Sequence, residues 1–229
     1  MAQLRQSRPA TLVAYPDRTV LDYAALDALV RTSLPEGRFV VLGESFAGPA
    51  AIRLAHAMPD RVAGLILAST FAKNPWPSWL APAATLLDQR LGPDFAIEWI
   101  MLGDRSTPDT RRVLGAVAQA MPREVLQARA KAALRVDRSA ELAATICPVM
   151  CIHSRSDWLI RPRCARHIAM LRPDCEMVWL DGGHDLLLTH PNECAAAINR
   201  FCERIGTIRE CSDLFPSPAL REKVPRRGG

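Results

Sequence analysis

The chain has 229 residues, 49% of them apolar, which is enough for one substantial core, and no apolar run approaches the length of a membrane span. Of its formal charge of +5, the first nine residues supply +2 through Arg5 and Arg8, and the stretch from Thr207 onward supplies another +2. The body is thus nearly neutral, which argues against a nucleic-acid partner, since that would need a basic stripe on a folded face.

The seven cysteines all lie between Cys147 and Cys211 and show no paired C-x-x-C spacing. That pattern indicates neither a zinc site nor a disulfide framework. The first residues carry no apolar signal-peptide segment. Together these features lead us to expect a cytoplasmic protein.

In chain order, Thr11 to Tyr15 reads as a short strand closed by Pro16. Leu21 to Leu34 has helical spacing and stops before Pro35. Phe39 to Leu42 is a run of β-formers, and Pro49 to Met58 is helical again. Val62 to Ala68 is continuously apolar, as a strand covered on both faces should be.

Residues 72–136 then break the alternation. Six prolines punctuate them, with helical patterns between at Leu86–Leu87–Leu91, Phe95–Trp99–Leu102, Val113–Val117–Met121 and Val125–Ala128–Leu134. The insertion is far longer than a crossover helix requires, so we read it as a cap of four short helices. Strands follow at Pro148 to His153 and Met177 to Leu180, with a helix at Arg163 to Leu171 between them. A last helix is expected from Pro191 to Ile205. Strands alternating with helices give an α/β fold with a mostly parallel sheet. The core spans residues 10–71 and 137–205, the helical cap 72–136, and a basic disordered tail 206–229.

The chemistry begins where strand Phe39–Leu42 turns into the next helix. The sequence there is Leu42-Gly43-Glu44-Ser45-Phe46-Ala47-Gly48. A serine on a sharp strand-to-helix corner, flanked by small residues, is a nucleophile elbow. Phe46 N–H then sits at a helix N-terminus, where it can face an anion. One alternative is a small-residue turn with an incidental serine. Another is phosphate binding, since Gly43 and Gly48 have P-loop spacing, but Pro49 and Ala50 stand where a P-loop needs Lys and Ser or Thr.

A serine hydroxyl needs a general base, and the base needs an orienting carboxylate. Of the five histidines, His184 follows a strand directly in Asp181-Gly182-Gly183-His184. That puts it at the sheet edge where ligands bind in open α/β folds. His56, His153, His167 and His190 lie within elements or at their ends. For the acid, Asp157 lies in the loop past strand Val149–Ile152. Asp181 and Asp185 are rivals, but each is too near His184 in sequence to face the imidazole nitrogen opposite the serine.

The order Ser45, Asp157, His184 resembles that of the α/β-hydrolase superfamily. Pro148 to His153, through Asp157 and Pro162, is similar to its acid-bearing strand and loop. Asp181-Gly182-Gly183-His184, followed by His190-Pro191, is similar to its histidine loop and closing helix. The resemblance runs from about residue 11 to 205. It departs from the pattern at Ala47, where the second glycine of the elbow usually stands.

The resemblance implies a serine hydrolase acting on a small-molecule carboxylic ester or thioester through an acyl-enzyme. Ser45 would be the nucleophile, His184 the base, Asp157 the acid and Phe46 N–H an oxyanion donor, with no cofactor and no metal. It also implies an early glycine-rich loop supplying a second oxyanion donor, and no such loop precedes Ser45. We therefore expect an N-terminally truncated fold, a vacancy beside Phe39–Leu42 and weakened turnover. The competing expectation is an incomplete, non-catalytic homologue that binds a small acyl ligand.

Overall fold

The computed structural model describes residues 10–16, 19–80, 82 and 94–214. Four strands form one sheet: β1 (Phe39–Glu44), β2 (Val62–Ala68), β3 (Val149–Ser154) and β4 (Glu176–Leu180). They lie in the order β1-β2-β3-β4, and every pair is parallel. Parallel neighbours need crossovers, usually helical. Helix α1 (Tyr23–Thr32) precedes the sheet, and α2 (Gly48–Ala57) connects β1 to β2.

The insertion carries α3 (Asp94–Leu102), α4 (Pro108–Ala120) and α5 (Arg123–Ala133), and α6 (Ser139–Ala144) leads into β3. Helix α7 (Pro162–Leu171) joins β3 to β4, and α8 (Leu186–Thr189) and α9 (Pro191–Leu214) close the chain.

The sheet is covered on both faces, and the period-two alternation of its strands divides the core. Leu65, Leu67 and Cys151 pack with Ile52, Leu54 and Ala55 of α2 and with Ile168 of α7. Ile66, Ala68, Met150 and Ile152 face Ala197, Ile198 and Phe201 of α9. Every residue of β2 is buried, as its unbroken apolar run requires. Cys151 is fully buried within β3, where burial pushes its thiol pKa well up, so it serves as apolar filler.

Helix α1 starts where Asp22 caps it, the Asp22 carboxylate accepting Ala25 N–H at 2.8 Å. Residues 72–136 leave and rejoin the body side by side. Asn74 N–H donates to Val136 O at 2.9 Å and Arg138 N–H to Ala72 O at 2.7 Å. Lys73 and Asp137 form an antiparallel bridge between these contacts. Three of the four expected helices of this segment are present as α3, α4 and α5. The fourth, at Leu86–Leu91, lies outside the described residues.

Two expectations are corrected. Thr11 to Tyr15 forms no strand. The Tyr15 ring instead meets Phe46 edge-on at 6.3 Å, and Arg129 of α5 donates to Pro16 O at 3.0 Å. A strand needs a ladder partner, and β-propensity in Thr11 and Val13 does not supply one. Among the described residues, β1 pairs with β2 alone.

The last helix also runs on past Ile205 and Gly206 to Leu214. A single internal glycine costs a helix only about 1 kcal/mol, so Gly206 does not stop it. The helix thus extends into the segment expected as tail, and residues 215–229 lie outside the described residues. No helix among the described residues is long and apolar enough to cross a membrane.

Candidate active site

The elbow is built by steric exclusion. A Cβ on Gly43 would lie 2.7 Å from Ala51 Cβ, 2.8 Å from Gly48 Cα and 2.9 Å from Ala47 O. Strand and helix approach this closely only because Gly43 has no side chain. Ser45 takes φ 49°, the left-handed region that non-glycine residues rarely enter. Such strain persists only where the surroundings enforce it, and it projects the side chain away from the turn. Ser45, Phe46 and Ala47 form a single 3-10 turn that runs directly into α2.

Three residues far apart in sequence converge here. Ser45 Oγ lies 2.8 Å from His184 Nε2. His184 Nδ1 lies 2.8 Å from Asp157 Oδ2. The other carboxylate oxygen, Oδ1, accepts Leu159 N–H at 2.9 Å and Ile160 N–H at 2.8 Å. Those two bonds orient the carboxylate toward the imidazole. Asp157 is 2% exposed and His184 1%, so water has little access to the bond between them. Asp181, the first rival acid, instead pairs with Arg155 on the surface.

The histidine loop is held from several sides. His184 N–H donates to Ile100 O at 3.0 Å and Asp185 N–H to Met101 O at 2.7 Å, so the end of α3 clasps the loop. Ser154 Oγ donates to Gly182 O at 2.5 Å and accepts Ser156 N–H at 3.0 Å. A Cβ on Gly183 would strike the backbone of Met101, Leu102 and Gly103, and one on Gly182 would strike the His190 ring, which explains the glycine pair before the histidine.

Three carboxyl groups, Asp157, Asp185 and Glu44, act on the imidazole. Burial alone would lower the His184 pKa, but its bond to Asp157 and the charges of Asp157, Asp185 and Glu44 raise it above its ordinary value. Burial, reinforced by the charge of Asp185, pushes the Glu44 carboxyl up to about 7. Asp185 is also raised by burial. His153 is buried beneath the acid loop, where burial lowers its pKa and Ile160 O lies 2.9 Å from its Nε2. It is a packed core histidine.

Several supporting residues escaped the sequence reading. Thr70, just past β2, donates its hydroxyl to Ser45 O. Tyr23 of α1 donates its hydroxyl to Phe46 O at 3.0 Å and stacks its ring on that of Phe46 at 4.8 Å. Glu44 was visible only as the residue before the serine. No spacing rule marks any of the three.

Trp99 of α3 and Trp158, the residue after Asp157, stand 6.3 Å apart and are each 54% exposed. A cavity of about 630 Å3 opens between β4 and α7, lined by Arg155, Arg166, Met170, Met177 and Trp179 among others. It does not include Ser45, Asp157 or His184. Among the described residues, no cluster of three or more His, Cys, Asp or Glu is placed to hold a metal ion.

The chain matches the model of the alpha/beta hydrolase family over residues 6–197. It is 24% identical over 203 residues to pimeloyl-(acyl-carrier protein) methyl ester esterase of Proteus mirabilis, covering 82% of this chain and 78% of that one. Among solved structures it resembles a bromoperoxidase from Bacillus anthracis, with TM-score 0.71, 16% identity and coverage of 83% and 77% of the two chains. It also resembles the enol-lactonase of Burkholderia xenovorans, with TM-score 0.68, 17% identity and coverage of 80% and 74%. A thermophilic esterase from Thermogutta terrifontis aligns with TM-score 0.62, 24% identity and coverage of 86% and 75%.

Proposed function

Because the chain belongs to the alpha/beta hydrolase family, we propose that it is a serine esterase in which Ser45, His184 and Asp157 act as one catalytic unit. The observation that carries this reading is the continuous hydrogen-bonded line from Ser45 Oγ through both His184 nitrogens to Asp157, each contact 2.8 Å.

Ser45 Oγ attacks the substrate carbonyl carbon while His184 Nε2 takes its proton. Asp157 holds the imidazole in the tautomer with Nδ1 protonated and stabilises the imidazolium. Phe46 N–H, at the head of α2, receives the developing oxyanion. His184 then protonates the leaving alcohol, and the ester carbon remains bonded to Ser45. Water, deprotonated by His184, releases the acid.

The segment 72–136 acts as a cap, since its α3 is bonded to the histidine loop at the carboxyl ends of the strands. Trp99 and Trp158 supply apolar surface beside the acid loop and favour an apolar acyl or alcohol group. The Proteus relative is an esterase of a carboxylic methyl ester, which supports an ester over other acyl bonds.

A fluorophosphonate probe labels only an activated serine. The intact protein should be labelled on Ser45 as located by peptide mass spectrometry, and Ser45→Ala should take no label. An unlabelled wild type would instead support the competing reading, an acyl-binding homologue without turnover.

The pH profile supplies a second check. The base must be neutral, so kcat/KM falls as pH drops through the His184 pKa. That pKa is raised, so the acidic limb with a neutral ester should lie above 6.5, the ordinary histidine value. Asp185→Asn removes one of the carboxylates responsible and should move the limb downward. A limb at or below 6.5 would show that the surrounding carboxylates do not act on His184 in this way.

A further inference from the structure

Resting on the esterase reading, we propose that Thr70 is a positioning residue for the oxyanion donor, aiming Phe46 N–H through the peptide unit it shares with Ser45. The carbonyl of Ser45 and the N–H of Phe46 are opposite ends of one planar group. In a trans peptide they point in opposite directions, and the chain has no cis bond among the described residues. Whatever fixes the direction of Ser45 O therefore fixes the direction of Phe46 N–H.

Ser45 O accepts from the backbone N–H of Gly48 and, in addition, from a side chain. Thr70 Oγ1 donates to it from a residue that is completely buried. Thr70 is anchored in turn, because the preceding Ser69 N–H donates to Ile152 O of β3 at 2.8 Å. The hydroxyl is thus held from the sheet, and it adds to the bond that Gly48 N–H, at the start of α2, makes to the same carbonyl. The elbow also makes room for it: a Cβ on Gly48 would overlap Thr70 Oγ1. Absence of a side chain at Gly48 is what lets Thr70 reach the turn.

The next peptide unit is pinned as well. Tyr23 hydroxyl donates to Phe46 O at 3.0 Å, and its ring lies stacked on the Phe46 ring, 28° from parallel. Both carbonyls flanking the Phe46 amide are held by side-chain hydroxyls, one from beyond β2 and one from α1. Ser45, just before them, is in a strained conformation that relaxes unless held. A donor aimed before the substrate arrives need not reorganise during the reaction, which is the source of its effect.

The test compares Thr70→Val, which keeps the shape and loses the hydroxyl, with Thr70→Ser, which keeps the hydroxyl. Three quantities are measured on the full chain: kcat and KM for a p-nitrophenyl ester, and the inhibition constant of a trifluoromethyl ketone that forms a tetrahedral adduct with Ser45. Thr70→Val should lower kcat roughly 10- to 100-fold, less than loss of a whole oxyanion donor, with KM little changed. It should weaken the ketone by a similar factor. Thr70→Ser should recover most of both.

A role in folding alone would not divide kcat from KM, nor track the tetrahedral adduct. Should Thr70→Val not fold, Thr70→Ala decides, since it removes the same hydroxyl from Ser45 O without placing a second methyl against that carbonyl. It should then lower kcat as expected of Thr70→Val, with KM little changed. A Thr70→Val enzyme with wild-type kcat overturns the proposal while leaving the esterase reading intact, as does an equal loss in Thr70→Val and Thr70→Ser. A wild-type protein that neither turns over esters nor takes a fluorophosphonate overturns both.

Discussion

Ser45→Ala should lower kcat for a p-nitrophenyl ester by roughly 10⁴- to 10⁶-fold, the range for removing one member of a serine–histidine pair. His184→Ala should cost about as much. The double variant should be no worse than either single one, because a nucleophile without its base and a base without its nucleophile are equally idle. Asp157→Asn is the more discriminating change. The amide oxygen can still accept Leu159 and Ile160 N–H, so the loop keeps its shape. Its NH2 then faces His184 Nδ1 and forces the tautomer with Nε2 protonated, which cannot accept the Ser45 proton. A loss of about 10⁴ in kcat with an unchanged melting temperature is expected. Steady-state kinetics beside circular-dichroism melts separate these effects from unfolding. Substantial turnover by Ser45→Ala would remove Ser45 as the nucleophile, and a double variant whose losses multiply would show that the pair does not act as a unit.

The features most legible in the sequence were those fixed by local rules. Val62 to Ala68 reads as a buried strand and is one, residue for residue, because a strand covered on both faces has no polar side to blur its limits. The candidate serine, acid and histidine each stand out by their place just past a strand, and the parallel sheet brings all three to one edge. Their order along the chain, Ser45, Asp157, His184, resembles that of the superfamily and links the three.

What escaped depends on long-range packing. Thr70 is 25 residues from the carbonyl it holds and Tyr23 is 23 residues from its own, and neither bond leaves a periodic trace. Thr11 to Tyr15 misled for the converse reason. Its composition suits a strand, but composition does not say whether an edge is there to receive it, and Tyr15 went to the Phe46 ring. The helix expected to end at Ile205 likewise runs on to Leu214, the modest penalty of Gly206 being outweighed within a 24-residue helix.

The same contrast between local and packed constraints yields the second large effect. Gly43→Ala adds a single methyl group, yet that methyl would lie within 3 Å of Ala51 Cβ, Gly48 Cα and Ala47 O. None of the three is the end of a flexible side chain. Ala51 Cβ is attached directly to α2, and the other two atoms are backbone, so relief requires α2 to move away from β1. Overpacking of a rigid site costs about 1–3 kcal/mol, and this one belongs at the upper end. The displacement also carries Ser45 away from His184, so activity should fall by more than the loss of folded protein explains. Ala47→Gly is the natural control. It restores the residue usual in the superfamily at that place, adds no atom, and costs at most about 1 kcal/mol in backbone entropy. Thermal melts and kcat measured on both variants should show Gly43→Ala losing stability and turnover together, with Ala47→Gly far milder in each. If Gly43→Ala melts and turns over like the wild type, the close approach of β1 and α2 is not what holds Ser45 in its strained conformation.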